Sequence, residues 1–342
     1  CLVFMKLEKL KFLLVFTFGL LIIRPLFANH CAERLVAIVD PYSTGALLPD
    51  AFRRRGWSSI AVKAVSDPGA TYGKSFRTQD FAKVFDVEAE GFEAVASRLK
   101  ALGVSGVIAG AETGVEVADR LNAVLSLPGH DVRLAAARRE KDTQQYALGA
   151  LGIPTKTFRH IEEALVQARA WGDFDAGRPL VIKPARAAGG NGVTFVRNEE
   201  ELRTAIERIL GTTNILNEPN DRFILQRFVD GPEFAVNVVS IRGEHFVTDI
   251  WRYKREELAG AGSGYLYDTL LPFEGDPQNA LRAYVPKVAA ALGIYNGASH
   301  FEIKMTSFGP QLIEVAARPC GGGLPVTAQR VSSSDLSLIH IS

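Results

Sequence analysis

The stretch that decides the fold is residues 300–323, which read HFEIKMTSFGPQLIEVAARPCGGG. Two β-rich runs flank the turn TSFGP, and each run holds one carboxylate, Glu302 in the first and Glu314 in the second. With the turn centred between them, an antiparallel pairing of the two strands places the glutamates side by side. Adjacent carboxylates in a sheet repel each other unless a cation lies between them. We therefore expect a metal site here, and Mg²⁺ is the natural ion because it takes carboxylate and phosphate oxygens.

Two side chains near this pair are further candidates. Arg318 follows the second run, and its planar guanidinium suits an anion carried by the metal, next to the glycines of residues 321–323. His300 stands two residues before Glu302, so both side chains share one strand face. For His300, a substrate contact and a packed histidine at a strand end are equal alternatives.

A second informative stretch is residues 181–196, VIKPARAAGGNGVTFV. Lys183 ends an apolar run, and the following loop, residues 187–192, has almost no side chains. Glycines let backbone N–H groups approach an anion and adopt the positive φ angles that a phosphate-binding nest requires. Taken alone, the stretch is equally compatible with a glycine-rich hairpin and a solvated lysine.

The stretch between these two, residues 223–239, reads FILQRFVDGPEFAVNVV. Gln226 ends an apolar strand, whose free backbone groups can bind an adenine edge, and Glu233 begins the next strand. A glutamate here can accept hydrogen bonds from ribose hydroxyls, as acidic residues do in other nucleotide folds. Taken by itself, Glu233 fits a surface residue beside a turn better than it fits a ribose contact.

The earlier part of the chain alternates strands with helices, beginning with RLVAIVDPYSTGALLPDAFRRRGW at residues 34–57. Such alternation predicts a parallel sheet with helices on both faces. The first turn lacks the GxGxxG pattern of dinucleotide folds, and GAETG at residues 110–114 lacks the lysine of a P-loop. Residues 133–152 read as a helix, and residues 251–269 read as a mobile segment over the active site, with Lys254 and Arg255 as candidate substrate contacts.

Four motifs in this order resemble the ATP-grasp superfamily: Lys141 at a helix start, VIKP with its small-residue loop, LQRFVDGPEF, and HFEIK with LIEVAARPCGGG. The resemblance covers about residues 34–334 and is strongest to carboxylate–amine ligases of the amino-acid ligase, or dipeptide synthetase, type. It implies an N-terminal doubly wound parallel-sheet domain followed by a two-lobed α+β ATP-grasp fold. It also implies ATP and Mg²⁺ as cofactors, with Mn²⁺ as an alternative, and an amide product formed through an acyl phosphate.

The resemblance also assigns a role to each matching position. Lys141 and Lys183 would contact ATP phosphates, Arg318 would hold the acyl phosphate, and Glu302 and Glu314 would bind Mg²⁺. The remaining nucleotide contacts would be the loop residues Ala188, Gly189, Gly190 and Gly192, the adenine-lining residues Gln226, Arg227, Phe228 and Val229, and Glu233 at the ribose.

Two departures from the family pattern concern the metal and the base. Ala316 stands where many members have an asparagine, which removes one oxygen ligand and leaves the number of metal ions open. Gln226 stands where a glutamate is common, and an amide can still hydrogen-bond a base edge.

Composition limits the function classes and the partners. The chain has 342 residues with 39 basic and 38 acidic side chains, and this balance argues against a nucleic-acid partner. Three widely spaced cysteines form neither a disulfide framework nor a zinc site, so a reducing compartment, the cytoplasm, fits best. The expected partners are small-molecule carboxylates and amines, chiefly amino acids, without stable membrane association and with a homodimer allowed.

The predicted organisation has five parts. Residues 1–33 are a signal-like or upstream read-through segment, 34–130 an N-terminal α/β domain, 131–215 the ATP-grasp small lobe, 216–334 a truncated large lobe, and 335–342 a tail foreign to the fold. Two alternative functions stay open. One is another ATP-grasp ligase of the carboxylase or purine-pathway type, and the other is a nucleotide-binding protein without turnover.

Overall fold

The computed structural model describes residues 34–258 and 262–332. The predicted N-terminal segment and the predicted C-terminal tail lie outside these ranges. Within them the strands form three sheets, one parallel and two antiparallel. This arrangement confirms the predicted α/β fold, with a parallel-sheet N-terminal domain followed by two lobes that are each built on an antiparallel sheet. Every helix in the described ranges is too short or too polar to cross a membrane.

The first sheet belongs to the N-terminal domain and has the order β3-β2-β1-β4. Alternate residues of its central strand face opposite sides: Ala37 and Val39 pack with two helices, whereas Val36 and Ile38 pack with a third. The sheet is therefore covered on both faces, as the doubly wound pattern predicts. Its elements are β1 Arg34–Val39, α1 Leu48–Arg53, β2 Trp57–Lys63, α2 Gly69–Gly73, β3 Lys83–Asp86, α3 Val87–Glu90, α4 Phe92–Leu102, β4 Val107–Ala109 and α5 Val115–Leu125.

The connection to the next sheet corrects one expectation. Residues 132–138 form two short 3₁₀ turns, and the α-helix begins only at Lys141. The buried side chain of Arg138 donates hydrogen bonds to the carbonyl oxygens of Asp131 and Leu292. These bonds favour a turn over a continuous helix at this point.

The second sheet forms the small lobe, in the order β5-β8-β6-β7. Phe223 and Leu225 of β8 pack into the core of this lobe, because β8 lies between two of its strands. The structure thus places β8 in the small-lobe sheet, beyond the boundary at residues 215/216 that the sequence suggested. The elements are α6 Lys141–Leu148, β5 Thr155–Phe158, α7 Ile161–Trp171, β6 Leu180–Pro184, β7 Thr194–Val196, α8 Glu199–Ile209 and β8 Phe223–Arg227.

The third sheet forms the large lobe, in the order β11-β10-β9-β12-β13. Residues 251–269 were expected to form a mobile segment over the active site. In the part that the structure describes, residues 251–258 and 262–270 lie in two antiparallel strands of this sheet. The elements are β9 Glu233–Ile241, β10 Glu244–Leu258, β11 Gly262–Leu270, α9 Gln278–Ala291, β12 Gly297–Thr306, β13 Gly309–Ala316 and α10 Leu324–Ser332.

The alternation along β12 explains why a buried strand carries a glutamate. Phe301 and Ile303 point to one face and pack with α9 in the large-lobe core. His300, Glu302 and Lys304 therefore point to the opposite face. The small-lobe sheet behaves likewise, since Leu180 and Ile182 pack with α7 and α8 while Val181 and Lys183 face away from that core.

Candidate active site

A cavity of about 310 Å³ lies between the faces of the two ATP-grasp sheets that their helices leave free. The structure brings most of the sequence-predicted site residues to its wall. These are Lys141, Lys183, Ala188, Gly189, Gly190, Gln226, Arg227, Phe228, Val229, Glu233, Glu302, Glu314 and Arg318. The exception is Gly192, which lies behind the wall with φ +75°, where a Cβ atom would come within 2.8 Å of the Pro184 ring. Gly192 thus permits the close return of the loop onto β6 without lining the cavity.

Lys183 places an ammonium group on the small-lobe side of the cavity. The residue is only 3% exposed, and its Nζ has no hydrogen-bond or ion-pair partner among the described residues. Burial lowers the pKa of Lys183 to about 8; Glu314 opposes this shift and Lys141 adds to it. A buried ammonium without a partner is costly. The cavity therefore offers a binding position for an anion at this point.

Lys141 stands at the start of α6 and connects the two sides of the cavity. Its Nζ donates to the carbonyl oxygen of Ala187, at 2.8 Å, and forms an ion pair with Glu314, at 2.5 Å. The same ammonium thus touches the base of the glycine loop and one of the two paired glutamates. A phosphate chain entering the cavity meets a cation there that is already held in place by two contacts.

The loop between β6 and β7 is open to the cavity. Gly189 and Gly190 have φ angles of +63° and +74°, and no atom lies within 4 Å of the position where a Cβ would stand. Successive positive-φ residues turn backbone N–H groups toward one side, which makes an anion-binding concavity. The loop therefore has the conformation that the glycine-rich sequence predicts.

Glu302 and Glu314 are paired directly across β12 and β13, as the sequence predicts, with a bulge immediately after them. Burial raises the pKa of Glu302, but the nearby imidazole of His300, whose Nε2 lies 3.6 Å away, and the charges of Arg255 and Lys141 outweigh it and hold the value at about 2. Glu302 is thus ionised across the neutral range, as a metal ligand must be.

The donor set fits a hard divalent cation such as Mg²⁺. Within the described residues no group of three His, Cys, Asp or Glu side chains could enclose a metal. Ala316, buried and paired with His300, supplies no oxygen beyond its backbone. Two carboxylates beside a cavity that Lys141 and Lys183 also line match the way Mg²⁺ binds in nucleotide enzymes, where waters and substrate phosphates complete its coordination.

Glu233 and Arg255 form a charged group with Glu302. Arg255 Nη2 lies 2.6 Å from Glu233 and 3.3 Å from Glu302. Burial, together with the charge of Glu302, raises the pKa of Glu233 to about 7, although Arg255 opposes this shift. Arg255, a candidate from the sequence, thus lines the cavity. Lys254 is exposed and lines neither this cavity nor the adjacent one described below.

The end of β8 forms the apolar side of the cavity. Gln226 donates its amide to Thr155, at 2.8 Å, and the Arg227 side chain turns away to pair with Asp173. Phe228 packs edge-to-face on Phe195, with ring centroids 5.6 Å apart. An aromatic pair beside free strand-end backbone groups suits a planar base. Phe195 was missed from the sequence because nothing local distinguishes it from a core residue of β7.

Lys304 is another cavity residue that the sequence analysis did not select. It shares a strand face with Glu302. Its Nζ donates to the carbonyl oxygen of Val229, at 2.9 Å, and lies 4.8 Å from the centre of the Phe228 ring. The alternation of β12 was the available signal for this residue, since it places Lys304 on the face that also carries Glu302.

Arg318 lies where the cavity meets the N-terminal domain. Its Nε donates to the buried carboxylate of Glu112, at 2.9 Å, and its Nη1 donates to the carbonyl oxygen of Pro319. Burial disfavours the charged guanidinium, but Glu112 outweighs this and raises the pKa of Arg318. Sequence reasoning considered Glu112 only as part of a rejected P-loop pattern. A glutamate in the turn that follows a predicted strand was the signal that was available.

A second cavity of about 410 Å³ adjoins the first. The two share Ala188, Gly189, Glu302 and Arg318 in their walls. The second cavity adds polar groups from the large lobe and the N-terminal domain, namely Ser43, Thr44, Tyr72, Tyr253, Asp268 and His300. His300, for which a substrate contact was one of two alternatives, therefore lies in a cavity wall as well as being packed at a strand end.

Comparisons with known proteins agree with this geometry. The ATP-grasp domain profile matches residues 176–326. Dapdiamide A synthase of Enterobacter agglomerans is 31% identical over 299 residues, which cover 86% of this chain and 69% of that protein. Alanine–anticapsin ligase of Bacillus subtilis strain 168 is 25% identical, covering 62% of this chain and 48% of that protein.

A solved structure supports the fold over most of the chain. The crystal structure of L-amino acid ligase from Bacillus licheniformis superposes with a TM-score of 0.66 at 20% identity, covering 90% of this chain and 73% of that one. Family membership follows from the sequence relatives, and the structural likeness shows the same fold over most of the chain. The chain belongs to the ATP-grasp superfamily of carboxylate–amine ligases, enzymes that form carbon–nitrogen bonds.

Proposed function

We propose that the protein joins an amino-acid carboxylate to an amine, using ATP and releasing ADP and phosphate through an acyl phosphate. The observation that carries this proposal is the meeting of the two cavities at Glu302, Arg318 and the glycine loop. A phosphoryl group held in the first cavity is then within reach of a carboxylate held in the second. The names of the two sequence relatives, a dapdiamide synthase and an alanine–anticapsin ligase, support an amide-forming reaction.

In this proposal the nucleotide occupies the first cavity. Its base lies at the strand end of residues 226–229 beside Phe195, and its ribose lies near Glu233. The phosphate chain meets Lys183, Lys141 and the N–H groups of the glycine loop. The ammonium of Lys183 supports this placement, because it has no partner among residues 34–258 and 262–332 and a phosphate would supply one.

Glu302 and Glu314 would hold Mg²⁺ against the phosphates. The ion would supply charge neutralisation to the transferring phosphoryl group. Binding it requires Lys141 to share or release Glu314, and the carbonyl oxygen of Ala187 is already in place as an alternative acceptor for the ammonium. Arg255 likewise divides its contacts between Glu233 and Glu302, so releasing one carboxylate leaves it the other.

The reaction then proceeds in two displacements. A carboxylate oxygen of the first substrate attacks the γ-phosphorus, the bond to the β-phosphate oxygen breaks, and ADP leaves. The amine of the second substrate attacks the acyl carbon, phosphate leaves, and the amine loses a proton. The protein contributes alignment and positive charge, from Lys183, Lys141 and Arg318. The glycine loop, which lines both cavities, is placed to keep water from the acyl phosphate.

The test is ADP and phosphate release from ATP and Mg²⁺ with pools of the twenty amino acids. The proposal expects release that requires two amino acids together, with a dipeptide mass appearing in step. If ADP is released with one carboxylate alone and hydroxylamine traps the acyl group, the acyl phosphate remains part of the proposal. The second substrate is then an amine outside the amino-acid pools. A protein that binds ATP but turns over none of the pools would contradict the amino-acid substrates.

A further inference from the structure

We propose that Glu112, contributed by the N-terminal domain, is the positioning residue that aims Arg318 at the transferred phosphoryl group. The inference rests on the proposed function, in which Arg318 holds that group. Glu112 stands on a short turn after β4, is 2% exposed, and lies 206 positions before Arg318 in the chain. The N-terminal domain, which also lines part of the second cavity, thereby helps to position the group that holds the phosphoryl.

The hydrogen bonds of Arg318 leave one direction open. Nε is occupied by Glu112 and Nη1 by the carbonyl oxygen of Pro319, both at 2.9 Å. Nη2 has no hydrogen-bond partner among the described residues, and Arg318 lines both cavities. Hydrogen bonds at two different nitrogens hold the planar guanidinium in one orientation. Its remaining N–H groups are thus the ones available to an anion at the junction of the cavities.

The turn that carries Glu112 is itself rigid. Thr113 donates its hydroxyl to the buried carboxylate of Asp40, at 2.5 Å, and the other Asp40 oxygen accepts from the backbone N–H of Ala64, at 2.7 Å. At Gly114 a Cβ atom would come within 2.6 Å of the Val39 carbonyl oxygen, so the turn packs closely against β1. The carboxylate is therefore presented from a fixed support and not from a flexible surface loop.

A second arginine makes the charge of Glu112 necessary. Arg139 is buried, lies 4.0 Å from Glu112, and donates to Glu218 at 2.6 Å. Glu112 thus stands between two buried guanidinium groups, one of which faces the cavities. Without its negative charge the two cations would repel each other in a medium of low dielectric constant. Arg318 would be the guanidinium that moves, because it lines the two cavities and has space on that side.

The experiment measures how inorganic phosphate raises the melting temperature of the full chain in saturating MgADP. Titrating phosphate gives an apparent dissociation constant in the wild type, in Glu112→Gln, in Arg318→Ala and in the double variant. Glu112→Gln keeps the shape of the side chain and removes its charge, and Glu112→Asp, which restores the charge, serves as the rescue variant. Asp119→Asn is the matched control, since Asp119 is a buried carboxylate of the same domain paired with Arg138.

We expect Glu112→Gln to weaken phosphate binding by about tenfold while MgADP binding changes by less than about twofold. Glu112→Asp should recover most of the loss. In the Arg318→Ala background, Glu112→Gln should cost nothing further, because it acts only through that arginine. Asp119→Asn should lower the melting temperature without changing the phosphate dissociation constant.

Three results would overturn the inference. The first is an additive loss in the double variant, the second is an equal phosphate defect in Asp119→Asn, and the third is no phosphate-dependent stabilisation of the wild type. Ligase turnover is measured in parallel on the same variants. If no pool of amino acids turns over while the phosphate coupling holds, the proposed function fails and the positioning role of Glu112 stands.

Discussion

At the scale of single residues, the paired glutamates give the most direct test of the metal assignment. Glu314→Gln removes a negative charge but keeps an oxygen to accept from Lys141, so the fold should be retained. We expect ATP turnover to fall by at least about 100-fold because one of two protein ligands to the metal is lost. ADP release and thermal melting measure the two effects separately. Glu207→Gln, on the exposed face of α8, is the control, and undiminished turnover in Glu314→Gln would refute the assignment.

Lys183 predicts a dependence of ATP binding on pH. Its pKa in the folded protein, about 8, lies below the ordinary value of 10.5, because burial disfavours the ammonium. Bound phosphate stabilises the ammonium, so binding is strongest below pH 8 and weakens as the proton is lost above it. Between pH 8 and 9 the affinity for ATP should fall by up to about tenfold. Isothermal titration calorimetry across this range measures the slope.

The matched variants assign that slope to one residue. Lys183→Met should bind ATP weakly at every pH and show no slope above pH 8. Lys287→Met, at an exposed position of α9, should retain both the affinity and the slope of the wild type. If Lys183→Met kept the wild-type slope, another group would be the one that titrates.

Some contacts in the candidate site could be predicted from the sequence and others could not. Glu302 and Glu314 could be paired from sequence because they flank one turn, and the register is local. The contact between Glu112 and Arg318 could not, since it joins side chains 206 positions apart that only the folding of three sheets brings together. Arg227 was expected to line an adenine pocket; it lies in the cavity wall, and its pairing with Asp173 is a contact that the sequence did not indicate.

At the scale of elements, alternation was the reliable signal. It predicted the strands β12 and β13 and the face that carries the glutamates, because a strand exposes every second side chain to one side. Sheet membership was harder to predict. The strand β8 follows a polar loop and resembles the strand after it, yet it pairs with β5 and β6 in the small lobe. Pairing partners that are distant in sequence leave no local pattern, so the lobe boundary was misplaced.

The glycine loop between β6 and β7 gives a prediction at this scale. Gly190→Ala should cost about 1 kcal/mol of stability, because alanine is strained at a φ of +74°. It should also weaken ATP binding. If residue 190 leaves the positive-φ region to relieve the strain, the loop no longer turns its N–H groups toward the phosphates. Gly177→Ala is the matched control, with a φ of +68° and equal open space, in the loop between α7 and β6.

The comparison of the two loop variants separates strain from function. Thermal melting should show similar losses of stability in both, and ATP-dependent stabilisation should fall only in Gly190→Ala. A similar fall in Gly177→Ala would mean that the loop acts through stability alone. Unchanged binding in both variants would remove the glycine loop from the phosphate site.

At the scale of the whole described chain, Arg138 joins the N-terminal domain to the large lobe. Its side chain is fully buried and donates to Asp119 of α5, at 2.6 Å, and to the carbonyl oxygen of Leu292 after α9, at 2.7 Å. These bonds connect the support of Glu112 to the sheet that carries Arg318. The bonds of Arg138 thus hold the N-terminal domain against the large lobe, and we expect them to contribute to the stability of the fold.

Arg138→Met should destabilise the protein by about 3 kcal/mol or more, since it leaves the buried carboxylate of Asp119 without its partner and removes one hydrogen bond each from the carbonyl oxygens of Asp131 and Leu292. Urea denaturation followed by fluorescence measures the loss. A separate, earlier transition for the N-terminal domain is also expected, because its junction with the large lobe is weakened. Arg98→Met is the control: its pair with Glu90 is exposed, so the loss should stay under about 1 kcal/mol.

The double variant Arg138→Met with Asp119→Leu decides whether the cost is that of an unpaired buried charge. Replacing both partners of a buried ion pair by apolar side chains is often close to neutral. We therefore expect much of the stability to return and the two transitions to merge again. If the double variant were as unstable as Arg138→Met, the bonds to the carbonyl oxygens of Asp131 and Leu292 would be what hold the domain in place. Equal losses in Arg138→Met and Arg98→Met would contradict a structural junction at Arg138.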